Sequence, residues 1–273
     1  MAGNRGGKGY EQDFCDRRWN VFRSGLPRLG PMAGRPLVLG HRGASLARTE
    51  NTLAAFAKAR EMGADGVELD VRRTADERLV VHHDPNAAGL GLIAASEFSA
   101  LRAARPDVPT LDEALEASAG MVVNVEIKCL PWEPDPDTPD HTVVRAVAER
   151  LRTGELLPVS DVIVSSFDLD AVDACRALAP SLNTAWLTSG QDLQAGALVA
   201  VEHGHAWINP DRVAALRASA DDVAAAHQLG VRVSVWTVDD ADEISQLAAA
   251  GVDAIITNVP DVAVATLNQP RRG

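Results

Sequence analysis

Residues 66–72 read Gly66-Val67-Glu68-Leu69-Asp70-Val71-Arg72, and residues 121–128 read Met121-Val122-Val123-Asn124-Val125-Glu126-Ile127-Lys128. Each stretch alternates charge with aliphatic bulk. Residues two apart on a strand share a face. Glu68 and Asp70 therefore stand on one face, opposite Val67, Leu69 and Val71. Glu126 and Lys128 stand in the same way opposite Val123, Val125 and Ile127. Three carboxylates gathered inside a fold carry a large desolvation cost unless something neutralises them. A divalent cation is the simplest candidate.

Working outward, short β-branched runs alternate with Ala-rich amphipathic stretches from Pro36 onward. The pattern predicts strands at 36–41, 66–72, 121–127, 161–165, 183–188, 206–209, 231–236 and 252–256. Helices are predicted near 50–62, 110–118, 140–152, 168–178, 191–203, 211–229, 239–250 and 260–267. Asp168 and Asp239 stand where N-caps belong, and Gly63, Gly230 and Gly251 stand just past helix ends, where a left-handed C-cap favours glycine. Strand followed by helix, eight times over 36–267, favours a single α/β domain built as a (β/α)8 TIM barrel over an open doubly wound sheet. The charged residues fall at the C-terminal ends of the first three strands, where barrel active sites are built. A short piece at 79–83 (LVVHH) reads as a turn-back after the second strand. Residues 131–140 (PWEPDPDTPD) read as a surface loop over the barrel mouth, with Trp132 amid acids and prolines.

The chain has 273 residues, 46% of them hydrophobic and 23% charged, an ordinary balance for a globular protein. Its formal charge of −12 argues against nucleic acid or an anionic membrane surface as a standing partner. Three scattered cysteines, Cys15, Cys129 and Cys175, do not form a disulfide framework. No run approaches the roughly 18 apolar residues of a membrane span, and no apolar segment at the N-terminus reads as a secretory signal. A cytoplasmic location is therefore expected. Residues 1–31 are polar and rich in Gly and Arg, and the globular domain is expected over 32–273. Two readings of 1–31 stay open: a flexible native extension, or translation starting at Met32. Oligomeric state is not legible.

An isolated Glu-x-Asp is common on exposed strands. Its repetition as Glu126-x-Lys128 on the next strand favours a buried site, with Glu68, Asp70 and Glu126 as metal ligands. No Cys or His stands at zinc-ligand spacing, so one Mg²⁺ or Ca²⁺ is expected. His41 ends the first strand and His83 follows the second, so both reach the same mouth. Such a pair can divide the labour of acid and base near neutral pH. His82 points away from His83 on extended backbone and reads as structural. His141, His203, His205 and His227 lie on or beside helices and read the same way, and Cys129 reads as a packed thiol.

Taken together, several motifs resemble the glycerophosphodiester phosphodiesterase family. The early ones are His41-Arg42-Gly43-Ala44, Glu50-Asn51-Thr52, Gly63 to Val71, Thr74, Val80-Val81 and His83-Asp84-Pro85. Weaker ones follow in order: Pro109 to Glu113, Glu126-Ile127-Lys128, Ser165-Ser166-Phe167, Trp236-Thr237 and Thr257-Asn258-Val259-Pro260. The resemblance spans roughly 36–262. It implies a TIM barrel, a divalent metal, and hydrolysis of glycerophosphodiesters to sn-glycerol 3-phosphate and an alcohol. It also implies Arg42 and Lys128 on the phosphate and Glu50 close to the metal. Trp236, at the end of the seventh strand, reads either as lining the glycerol pocket or as packed core. Two departures stand out. Thr49 occupies a position where the family often has proline, and Asn86 to Ile93 is a short Ala/Gly-rich stretch in place of an Arg-Thr-Thr-like segment that shapes the alcohol side.

A phosphodiester with an alkoxide leaving group needs charge stabilisation, an activated nucleophile and a proton for the departing oxygen. His41 and His83 would share the two proton transfers, in an order the sequence leaves open. Phospholipase D-like cleavage of lysophospholipids on the same barrel is the nearest alternative, and the acidic, proline-rich 131–140 favours a water-soluble diester instead. A sensor that binds a phosphodiester or metal without turnover would be expected to have lost a histidine or a carboxylate. None is missing here.

Overall fold

All eight apolar runs become parallel strands of one closed sheet in the computed structural model, which describes residues 34–130, 133–134 and 141–269. The first half of the chain forms β1 (Leu37–Gly40), α1 (Leu53–Glu61), β2 (Gly66–Arg73), β3 (Leu79–Val81), β4 (Asn86–Ala87) and β5 (Gly91–Leu92). It continues through α2 (Phe98–Ala104), α3 (Leu111–Ala117), β6 (Val122–Ile127) and α4 (Thr142–Leu151). Next come β7 (Val162–Ser166), α5 (Leu169–Leu178), β8 (Asn183–Thr188), α6 (Leu193–Glu202) and β9 (Trp207–Pro210). The chain closes with α7 (Arg212–Arg217), α8 (Ala220–Gln228), β10 (Arg232–Val235), α9 (Ala241–Ala250), β11 (Ala254–Thr257) and α10 (Pro260–Leu267). Hydrogen bonding runs β1-β2-β6-β7-β8-β9-β10-β11 and returns to β1, where Leu37 pairs with Ala254 and Leu39 with Gly66. This is a (β/α)8 barrel, and closure leaves the eight strands without an exposed edge. β3 turns back antiparallel along the upper end of β2, pairing Val71 with Val81.

Strand alternation sorts the core. Val67, Leu69 and Val71 of β2, with Val123, Val125 and Ile127 of β6, face outward and pack with Phe56, Leu111, Leu115 and Val147 of the surrounding helices. On the other side of the barrel, Val233, Val235, Ile208 and Ile255 meet Ala197, Val223 and Ile244. Inside, Leu37, Leu39, Ile163, Ala185, Trp207, Ala254 and Ile256 form a third cluster that fills the lumen. Truncating the fully buried Phe56 to alanine should cost about 3–5 kcal/mol. The apolar filling leaves the C-terminal mouth to polar groups.

Three local readings differ from expectation. The stretch 211–229 is two helices rather than one. Ala218 turns extended, and Ser219 then accepts the Asp222 N–H at 3.2 Å while Asp222 accepts the Ser219 N–H at 2.7 Å, a capping box that starts α8 afresh. Asp240, not Asp239, caps α9, accepting the Asp242 N–H at 2.9 Å; Asp168 caps α5 as expected. The hairpin β4–β5 and α2 were not expected at all, because two-residue strands and a seven-residue helix carry almost no periodic signal. Gly63, Gly230 and Gly251 take positive φ where the C-caps were placed. Residues 1–31 and most of 131–140, Trp132 included, lie outside the described residues. Among those described, no helix is long and apolar enough to cross a membrane.

Candidate active site

The register of β2 against β6 sets Asp70 beside Glu126 and Glu68 beside Asn124. All three acids point into the upper lumen and are 1–7% exposed. One oxygen from each lies within 4.8 Å of the others. Glu68 Oε2 accepts the Arg42 N–H at 2.9 Å, while Glu68 Oε1 is buried with no hydrogen-bond partner among the described residues. An orphaned buried carboxylate oxygen in an all-oxygen donor set fits a hard divalent cation. Burial, reinforced by Asp70 and Glu126, raises the Glu68 carboxyl well above its ordinary range. Burial likewise pushes Glu126 up to about 7 against the opposing pull of Lys128. Burial works on Asp70 too, but Lys128 and Arg42 outweigh it and hold that group below the usual carboxylate range.

Two cations enter this cluster. Lys128 Nζ sits between Asp70 Oδ1, at 3.0 Å, and Glu126 Oε1. Burial opposes its charge, yet the two carboxylates raise its pKa above the ordinary value. Arg42 comes from the turn after β1, closed by the Gly43 N–H donating to the Gly40 carbonyl at 3.0 Å. Gly43 has φ +82°, and a Cβ there would lie 2.6 Å from the Ala55 backbone, so only glycine lets this turn sit against α1. Arg42 Nη1 donates to both Glu50 oxygens at 3.0 Å, and Nε lies 3.2 Å from Asp70 Oδ2.

His41 leaves β1 with Nε2 4.0 Å from Glu68 Oε2 and Nδ1 2.7 Å from Asn258 Oδ1. Asn258 Nδ2 donates to Asp239 Oδ2 at 2.7 Å, which turns the amide oxygen toward the imidazole. Nδ1 therefore carries the proton and Nε2 presents its lone pair to the carboxylates. Burial first, then the nearby Arg42 charge, lower the His41 pKa. His83 follows β3, with Nδ1 2.8 Å from Asp84 Oδ1. Its carbonyl accepts from Arg72 Nε at 2.8 Å and Nη2 at 2.6 Å, and the same buried guanidinium bonds both oxygens of Glu133.

Residues 41–262 match the model of the glycerophosphoryl diester phosphodiesterase family. The chain belongs to that family. As a member it is a phosphodiesterase, an enzyme that hydrolyses a phosphoric diester. It is 31% identical over 262 residues to the glycerophosphodiester phosphodiesterase of Caldanaerobacter subterraneus, covering 88% of this chain and 99% of that one. A solved glycerophosphodiester phosphodiesterase from Thermotoga maritima superposes with a TM-score of 0.70 at 26% identity, covering 84% of this chain and 97% of that one. One from Parabacteroides distasonis shares the fold at TM-score 0.73 and 24% identity, over 85% and 97% of the two chains.

In this family member Glu68, Asp70, Glu126, Lys128, Arg42 and His41 converge, and His83 lies near enough to Asp70 to lower its pKa. Glu50 stands one remove out, half exposed and bound to Arg42, outside the carboxylate cluster. Trp236 is half-buried just past β10, its indole N–H on the Asn209 carbonyl at 2.8 Å and its ring edge-on to Phe167 at 5.2 Å. Three positioning groups escaped the sequence reading. Asn51 donates to Asp70 Oδ2 at 2.7 Å from a left-handed backbone, Asn258 sets the His41 tautomer, and Arg72 clamps the His83 carbonyl. Arg72 was within reach of the pattern, since it continues the Glu68-Asp70 alternation. Asn51 and Asn258 stand within two motifs that carry the resemblance, Glu50-Asn51-Thr52 and Thr257-Asn258-Val259-Pro260, but their roles were not legible there, because amide contacts are made only by tertiary folding.

Proposed function

We propose that the protein hydrolyses glycerophosphodiesters to sn-glycerol 3-phosphate and an alcohol at the upper mouth of the barrel. The observation that carries this reading is the triad of buried carboxylates meeting within 4.8 Å, with an imidazole lone pair 4.0 Å from one of them. Glu68, Asp70 and Glu126 would hold one hard divalent cation, Mg²⁺ or Ca²⁺. When bound, that ion would supply Lewis-acid stabilisation of charge on the non-bridging phosphate oxygens.

The side chains do the rest. Arg42 and Lys128, held among the carboxylates, face the same oxygens and add donors as charge grows there. His41 acts as the base: its Nε2 lone pair takes a proton from a water or from the substrate's own glycerol hydroxyl as that oxygen attacks phosphorus. His83, on the neighbouring loop, gives a proton to the alkoxide as the P–O bond breaks, so no free alkoxide is released. Where the glycerol hydroxyl is the attacking oxygen, the cyclic phosphate so formed is opened by a water whose proton His83 takes while His41 returns its own to the glycerol oxygen. Asp84 holds the His83 ring from its other nitrogen.

The test is a panel of glycerophosphocholine, -ethanolamine, -glycerol and -inositol together with lysophospholipids. Release of glycerol 3-phosphate is followed with Mg²⁺, with Ca²⁺ and with chelator. Cation-dependent release from the water-soluble diesters, abolished by chelator, is expected. No release from any diester with either cation would overturn the reading, and release from lysophospholipids alone would move it to lipid cleavage.

A further inference from the structure

A second cluster lies at the opposite end of the barrel from the mouth. Asp173 is on α5, His203 closes α6, and His205 stands two residues before β9. His203 Nδ1 lies 2.7 Å from Asp173 Oδ2, and His205 Nε2 lies 3.1 Å from Asp173 Oδ1. The two imidazoles stack at 19° with centroids 6.2 Å apart. One ligand atom from each of the three residues falls within 4.8 Å of the others.

Gly204 makes this bracket. Its φ of +78° folds the chain back between the two histidines, and the His205 N–H then donates to the Ala200 carbonyl at 2.8 Å. Arg176 Nε holds the turn from outside through the Gly204 carbonyl at 2.8 Å. A side chain at Gly204 would meet that guanidinium at 2.7 Å. The bracket is therefore set by backbone and packing rather than by the side chains it presents.

The decisive atom is His205 Nε2. The His205 side chain is 0% exposed, and Thr184 Oγ1 engages its Nδ1 at 2.9 Å. Nε2 is buried and aimed at the Asp173 carboxylate 3.1 Å away, outside ideal hydrogen-bond geometry and with no other partner among the described residues. A ring nitrogen pinned from behind by a hydroxyl and turned toward a carboxylate and a second imidazole is the arrangement of a metal ligand with its outer partner. We infer that Asp173, His203 and His205 form a second metal site, suited to a late divalent transition ion such as Zn²⁺. Two imidazoles and one carboxylate match Zn²⁺, whose bonds to nitrogen and oxygen are about 2.0–2.2 Å. Tetrahedral geometry at those lengths sets ligand atoms about 3.3 Å apart, so one Asp173 oxygen and the two ring nitrogens, now within 4.8 Å of one another, would draw together around the ion. Asp173 and His203 are each 36% exposed at their side chains, leaving a solvent path for entry and a fourth position for water. The ion would tie α5 to the α6–β9 turn as a clasp remote from the chemistry, so this site stands independently of the hydrolytic reading.

The experiment uses the full chain carrying Glu68→Gln and Glu126→Gln, which removes two of the three mouth carboxylates. Calorimetric titration with Zn²⁺ should report one saturable site per chain, and Mg²⁺ should not fill it. Adding His203→Ala or, separately, the near-isosteric Asp173→Asn should weaken Zn²⁺ binding by on the order of 100-fold or more, with the circular dichroism spectrum unchanged. Zn²⁺ at about 100 times its dissociation constant should raise the thermal midpoint by roughly 5–10 °C, and neither added variant should show that rise. No saturable Zn²⁺ site in the mouth-disabled protein would overturn the proposal, as would a site indifferent to both added variants.

Discussion

The two ends of this barrel each gather three metal-competent side chains, by different routes. At the mouth, Glu68, Asp70 and Glu126 come from adjacent strands whose register is fixed by a ladder of backbone hydrogen bonds. At the lower end, Asp173, His203 and His205 come from a helix and a turn, brought together by packing and one left-handed glycine. The mouth is all oxygen, almost fully buried, and interleaved with Lys128 and Arg42. The lower cluster offers two nitrogens and one oxygen with two members open to solvent. A strand ladder can present charge at a 2-residue period and hold it in place against strong repulsion. A helix–turn bracket instead presents softer ligands that need no neutralising cations.

The sharpest way to break this contrast is kinetic. His41→Ala and His83→Ala should each lower kcat by about 10²–10⁴-fold, the usual worth of a positioned acid or base. His203→Ala should leave kcat and KM within about twofold, as expected for a surface substitution far from the chemistry. Equal losses at the two ends would erase the distinction. A smaller effect is expected at Arg72, which touches the His83 carbonyl rather than any reacting atom. Arg72→Met should reduce kcat by roughly 10–100-fold with KM little changed, because a displaced proton donor hurts turnover before binding.

Acid–base behaviour separates the ends by stability. The Glu126 carboxyl titrates near 7 in the folded chain against an ordinary value of 4.5. A carboxyl raised in this way contributes stability that is complete below pH about 4.5 and is lost as pH climbs through about 7. Glu68 shifts in the same direction. Chelator-treated protein should therefore melt at progressively lower temperature between pH 5 and 8, and saturating Mg²⁺ should flatten that decline. A midpoint that rises with pH in chelator would contradict the burial account of these carboxylates. The smallest effect expected is at Glu50, which is exposed and, among the described residues, bound to Arg42. Glu50→Gln should weaken the clamp on that guanidinium and raise KM by a few fold, an effect of about 1 kcal/mol.

Legibility followed periodicity. The eight strands, the polar faces of β2 and β6, and the grouping of His41 with the carboxylates could all be read from alternation and from position at strand ends. The break at Ala218–Ser219 and the cap at Asp240 were missed because caps compete locally by one residue, and packing chooses between them. The lower cluster was passed over as unremarkable histidines. His203 and His205 flank a glycine whose left-handed turn is invisible in composition, and Asp173 stands 30 residues away.

By itself the sequence determined the barrel, the set of mouth acids and bases, and the family, since each rests on local period, residue type and ordered motifs. Tertiary structure alone decided which oxygen of Glu68 is left unpaired, which nitrogen of His41 carries the proton, and that Arg72 grips the His83 loop. It alone also joined Asp173 to His203 and His205. These depend on contacts between residues far apart in the chain, where distances of a few tenths of an ångström separate a hydrogen bond from an orphaned group.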